Sequence, residues 1–129
     1  MATVMIIEPD VLIRAPISES LRACGYRVIE GVCAVDLWEV IESNTIVNIV
    51  MVDARLPGAV NGFGLAHQLR QTHEGIDVIL TSGFADAAGK SIELCERGPM
   101  KGTYRRQDVA RQIHLLLERR RARPNAPDP

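Results

Sequence analysis

IVNIVMVDARLPG, residues 46–58, decides the fold. From Ile46 to Val52 the run carries a single polar side chain, Asn48, and it ends on an acid, Asp53, before a Pro-Gly loop. A short apolar run without alternation suits a strand buried on both faces, as in a parallel sheet. Thr3–Ile7 (TVMII) reads the same way and is followed by Glu8-Pro9-Asp10. Between these two runs, Leu12, Ile13, Ile17, Leu21 and Cys24 recur at helical spacing and stop at Gly25. Pro16 falls inside that helix and is expected to bend it, because it lacks the backbone donor.

The rest of the chain repeats the pattern. A strand at 26–29 leads to a helix at 34–43 carrying Leu37, Trp38, Val40 and Ile41. Phe63, Leu65, Ala66 and Leu69 mark a third helix, and Ile76 to Leu80 a fourth strand that ends at Thr81-Ser82-Gly83. A weaker helix is expected at 86–97, a poor fifth strand at 99–104, and a last helix at 106–121 with Val109, Ile113, Leu116 and Leu117. Strands alternating with helices imply βα units, hence an α/β doubly wound parallel sheet with helices on both faces. One domain at 1–122 and a disordered tail at 123–129 (the Pro-rich end) are expected.

Composition excludes several classes. The 129 residues are 47% hydrophobic and 24% charged, with a net charge of −1, so no global field draws the chain to nucleic acid or membrane. Aromatics at 4% argue against stacking platforms for single strands. Apolar runs fall far short of the ~20 residues that span a bilayer. The first residues carry no basic region or small-residue cleavage site, so a cytoplasmic location is expected. Cys24, Cys33 and Cys95 are expected to be reduced, buried thiols. The arginines at 119, 120, 121 and 123 are read as a solvated helix end that complements the helix dipole.

In open α/β sheets, functional groups gather past the carboxyl ends of the strands. Those ends carry Glu8 and Asp10, Asp53, and Thr81 with Ser82. Acids from two strands suit an oxygen-seeking cation such as Mg²⁺, and a strand-tip carboxylate can act as a nucleophile toward phosphorus. Asp10 is equally well placed to cap the first helix.

IIEPDVLIR (6–14), ACGYRVIE (23–30), VDARLPG (52–58), NGFGLAHQLR (61–70) and VILTSGF (78–84) resemble the receiver domain of bacterial two-component response regulators. The resemblance implies a (βα)5 flavodoxin-like three-layer sandwich of strand order 2-1-3-4-5. It implies phosphorylation of Asp53 by a histidine kinase or phosphotransfer protein, with Thr81 as the hydroxyl that turns to the phosphoryl group. Mg²⁺ would be held by Glu8, Asp53 and the backbone carbonyl of Arg55. Pairing of two copies through the last strand and helix is also implied, and the module is not expected to be an enzyme.

Two positions depart from the family pattern. Pro9 stands where a second acid is usual, so Mg²⁺ binding should be weak unless Asp10 shifts in as a ligand. Gly102 stands where a lysine is usual, and Lys101 lies one residue early, on the other face of a strand unless the loop carries an insertion. Without that lysine, Glu8 and Asp53 are expected to keep no nearby cation, and Asp53→Asn to stabilise the protein. Two functions follow: a single-domain phosphoryl acceptor in a phosphorelay, or a receiver-like interaction module that works without phosphorylation. A flavin carrier on this topology is disfavoured, because Glu8-Pro9-Asp10 would repel a phosphate.

Overall fold

Every residue of the first strand is buried, which on a solvent-faced sheet would be impossible for five consecutive side chains. The computed structural model describes residues 2–97. They form β1 (Thr3–Ile7), α1 (Val11–Ala23), β2 (Arg27–Gly31), α2 (Ala34–Glu42), β3 (Ile49–Asp53), α3 (Gly62–Thr72), β4 (Asp77–Thr81) and α4 (Gly83–Arg97). The strands pair in parallel in the order β2-β1-β3-β4, the flavodoxin-like arrangement expected of the first four. The expected fifth strand with Lys101 and Gly102, the last helix with its basic end and pairing face, and the tail lie outside the described residues.

Alternation along the strands splits the core into two layers. Val4, Ile6 and Met51 face one side, where Ile13, Ile17 and Leu21 of α1 and Phe84, Ala88 and Ile92 of α4 cover them. Met5, Ile7, Val50 and Val52 face the other, under Leu37 of α2 and Leu65 and Leu69 of α3. Right-handed connections account for α1 on one face and α2 and α3 on the other. By the same rule, a crossover from β4 to a strand beyond it would carry its helix on the α2/α3 face. Yet α4 packs against α1.

Several boundaries differ from the sequence reading, for local reasons. β3 starts at Ile49 rather than Ile46, because Asn48 is a junction: its side chain accepts from Thr3 N–H at 2.8 Å, and its backbone bonds Thr3 and Asp77 at 3.0 and 2.9 Å. β2 begins one residue late, since Tyr26 turns into the core and donates its hydroxyl to Leu94 C=O at 2.7 Å. α4 begins at Gly83, with Asp86 reaching back to accept from Ser82 N–H at 2.9 Å. Pro16 sits inside an unbroken α1. The carbonyl it leaves without a helix donor belongs to Leu12, which is exposed, so water can serve instead.

Thr81 C=O accepts from Ala54 N–H across to β3, so the neighbouring Leu80 C=O points to the outer edge of β4. Lys90 of α4 donates to that carbonyl and is itself held by Asp86 at 3.0 Å.

The cysteine expectation is corrected. Cys24, at the end of α1, and Cys95, in α4, form a disulfide across 71 residues of sequence. Both are fully buried, and Cys33 alone among the cysteines is a free thiol. Closing so long a loop in the unfolded chain is worth about 4 kcal/mol in the chain-entropy model. Thiol titration of the denatured, unreduced protein should therefore find one thiol, rising to three on reduction, and Cys95→Ser should lower the melting temperature markedly. Three thiols before reduction would refute the pairing.

Candidate functional site

Register and alternation build the site. Ile7 pairs with Val52, so the next step along both strands brings Glu8 level with Asp53. Asp53 pairs with Thr81. All three follow by the two-residue period on the α1/α4 face, at the carboxyl edge of the sheet. Glu8, Asp53 and Thr81 are each buried. Glu8 and Thr81 line one small cavity with Ile13, Ile17, Met51 and Ala87, so apolar groups wall the corner from below.

That wall governs the charge. Removal from water, opposed by the Asp10 N–H at 3.0 Å and joined by hydrogen bonding to Asp53 and repulsion from Asp53 and Asp10, pushes the Glu8 carboxyl up to about 7. Below neutral pH, Glu8 thus holds a proton that it donates to Asp53. Above it, Glu8 is charged beside Asp53.

Asp10 serves as a cap. Its carboxylate accepts from Leu12 N–H at 2.9 Å and starts α1. Among the described residues no three acidic, His or Cys side chains converge as a metal cluster. The acidic donors at the corner are therefore Glu8 and Asp53. A buried pair of acids, of which Glu8 holds a proton up to about pH 7, is nonetheless a fitting cage for an oxygen-seeking divalent cation, which would displace that proton.

The expectation of no nearby cation is also corrected. Asp53 Oδ1 accepts from the Arg55 N–H at 2.7 Å, and the Arg55 Nε lies 3.7 Å away from the same oxygen. The sequence reading used only the backbone carbonyl of this residue. It also passed over Gly62, the first residue of α3. A Cβ there would fall 2.1 Å from Asp53 C=O and 2.7 Å from Ala54 Cα, so only glycine lets the helix start against the acid's own backbone. The signal was present in NGFGL, where Asn61 caps the helix by accepting from Gly64 N–H at 2.9 Å. Val11 and Leu12 beside Glu8, and Phe63 beside Gly62, are large apolar residues left exposed around the corner. Lys101 lies outside the described residues.

Residues 4–98 match the model of the response regulator receiver domain family. The chain belongs to that family. Over 121 residues this receiver is 34% identical to the sensor kinase CckA of Brucella abortus (strain 2308), a match covering 92% of this chain and 13% of that protein. The chain thus spans about an eighth of the length of that curated relative. Among solved structures, a CheY-like receiver from Methanospirillum hungatei JF-1 superposes with a TM-score of 0.59 at 21% identity, covering 95% of this chain and 98% of that one. NtrX from Brucella abortus gives 0.60 at 22% identity over 92% of this chain and 26% of its own. These two likenesses are of fold.

Receiver domains typically bind Mg²⁺ at the phosphorylation site, and the pH dependence of this receiver follows from Glu8. Its carboxyl rises on folding, so the folded state holds an extra proton between about pH 4.5 and 7. Stability is accordingly greatest at the acid end of that window, falls as pH rises through it, and levels off above 7. Asp53→Asn keeps the acceptor for Arg55 N–H and removes the carboxylate repulsion, at the loss of an ion pair with an exposed arginine that is worth little. The variant should melt higher than the parent at pH 8 and show no gain at pH 5. A lower melting temperature at pH 8 would mean that Arg55 outweighs the repulsion. Gly62→Ala should cost about 3 kcal/mol or more, since backbone must move at Asp53, and chemical denaturation measures it.

Proposed function

We propose that this receiver accepts a phosphoryl group on Asp53 from the phosphohistidine of a histidine kinase or phosphotransfer protein. The observation that carries the reading is the register of Asp53 with Thr81, beside Glu8, at the carboxyl edge of the sheet. An Asp53 oxygen attacks phosphorus while the N–P bond breaks, and the bonding pair leaves on the imidazole nitrogen. Backbone anchoring of Asp53 by Arg55 N–H holds the attacking carboxylate in one orientation, which lowers the entropic part of the barrier. Thr81, one strand away, offers a hydroxyl to the transferred oxygens. Glu8, Asp53 and the Arg55 backbone carbonyl would hold Mg²⁺, which when bound neutralises those oxygens. Asp10, committed to its cap, is not enlisted.

Exposed Val11, Leu12 and Phe63 offer a partner an apolar rim around the acceptor, suited to the helices that present a phosphohistidine. The relative named a sensor kinase supports the same class of partner. No helix among the described residues is long and apolar enough to cross a membrane. We place the site of action in the cytoplasm, where such kinases draw on ATP. The buried position of both sulfurs in the Cys24–Cys95 bond shields it from reductants there.

A second reading, an interaction module that works without phosphorylation, is favoured by Pro9, which leaves two acidic donors where a fuller set would bind metal more tightly. The two separate on one measurement. Incubation with phosphoramidate and Mg²⁺ should add the mass of one phosphoryl group, and Asp53→Asn should abolish the gain. A parent that gains no mass favours the second reading, and a variant that still gains it removes Asp53 as the acceptor.

A further inference from the structure

Resting on that reading, we propose that the Arg55 guanidinium is the cation that receives the phosphoryl group on Asp53. Transfer turns the singly charged Asp53 carboxylate into an acyl phosphate of about −2 charge, beside Glu8 and with Asp10 close by. A positive partner must reach it. Among the described residues, Arg14 is engaged by Glu30 at 3.0 Å and by Glu8 C=O at 2.7 Å, and Lys90 by Asp86 and Leu80. Arg55 makes the ion pair to Asp53, at a distance too long for a good hydrogen bond, and its side chain is 63% exposed. It can therefore be drawn inward at little cost.

Its placement suits the task. The backbone of Arg55 is tied to Asp53 Oδ1, so the root of the side chain is fixed relative to the acceptor. The guanidinium extends from the end of β3 toward the β4–α4 turn, where its Nη2 lies 3.4 Å from the point a Cβ of Gly83 would occupy. Gly83, at φ +79°, adopts a backbone conformation that L side chains rarely take, and it offers no side chain to push the arginine away. The fork thus lies across the open side of the corner, between the acceptor and the turn after Thr81. A guanidinium meets phosphate oxygens through two parallel N–H donors, a geometry a lysine does not reproduce. Phosphorylation exchanges one long contact to a carboxylate for short, charge-assisted ones to the phosphoryl oxygens.

The same cation should oppose a bare metal ion at the empty acceptor, and that opposition separates a phosphoryl contact from a merely structural role. The experiment compares parent and Arg55→Ala in two titrations: the rate of mass gain from phosphoramidate with saturating Mg²⁺, and the affinity for Mg²⁺ alone, read from amide shifts. We expect Arg55→Ala to gain mass about tenfold more slowly, the loss of a charge-assisted pair. Its Mg²⁺ affinity should be unchanged or up to about fivefold higher, as loss of an exposed cation allows. A variant labelled as fast as the parent overturns the inference and leaves Asp53 as acceptor. So does a variant whose Mg²⁺ affinity falls in step with its rate, which marks a distorted site. A parent that takes no label overturns the acceptor reading itself, and this inference with it.

Discussion

Parallel register is the constraint on which everything else rests. β1 and β3 are locked by Asn48, whose side chain and backbone both bond Thr3 and whose carbonyl accepts from Asp77. One junction at the amino edge therefore sets where three strands begin. Register carries the alignment to the far edge, where Ile7, the last residue of β1, pairs with Val52 and Asp53 pairs with Thr81. Glu8, Asp53 and Thr81 stand level at the far edge for that reason. A slip of one residue in any strand would turn its polar end to the opposite face and put apolar side chains in its place.

The corner so formed stores an electrostatic cost, and the surroundings manage it without removing it. Ile13, Ile17 and Ala87 keep water from beneath, which is what drives the Glu8 carboxyl up. Backbone N–H groups from Asp10 and Arg55 each serve one carboxylate. The exposed Arg55 side chain and the half-buried Asp10 cap lie at the rim. A site of this kind gains by accepting positive charge, whether a proton, a metal ion or a guanidinium, and the three compete for one corner.

Much of this was legible in the residues. β1 read correctly and β3 was found with its start three residues early, because a strand buried on both faces leaves a nearly all-apolar run that stops at an acid. The edges have weaker patterns. β2 and β4 are half exposed; β4 is shifted by one residue from the sequence expectation, and β2 starts one residue and ends two residues later. The Cys24–Cys95 pair was not visible, since nothing local joins residues 71 apart and the pairing depends on which face of the sheet α4 covers. Arg55 was missed for a different reason: at a loop position a side chain has no period to reveal its direction. The acid two residues earlier was the available clue.

Lys90 has a consequence for the edge of the sheet it touches. Among the described residues no strand pairs with the outer edge of β4, and such an edge is a row of backbone groups on which a further strand can add. At its carboxyl end, Leu80 C=O is already taken by an ammonium group, which Asp86 holds in place. An incoming chain would have to strip that charge from its partners and bury it, a penalty of several kcal/mol in a dry interface. The helix that follows the strand thus guards it. A single side chain laid across the carboxyl end of the edge thus sets the cost of adding a strand there.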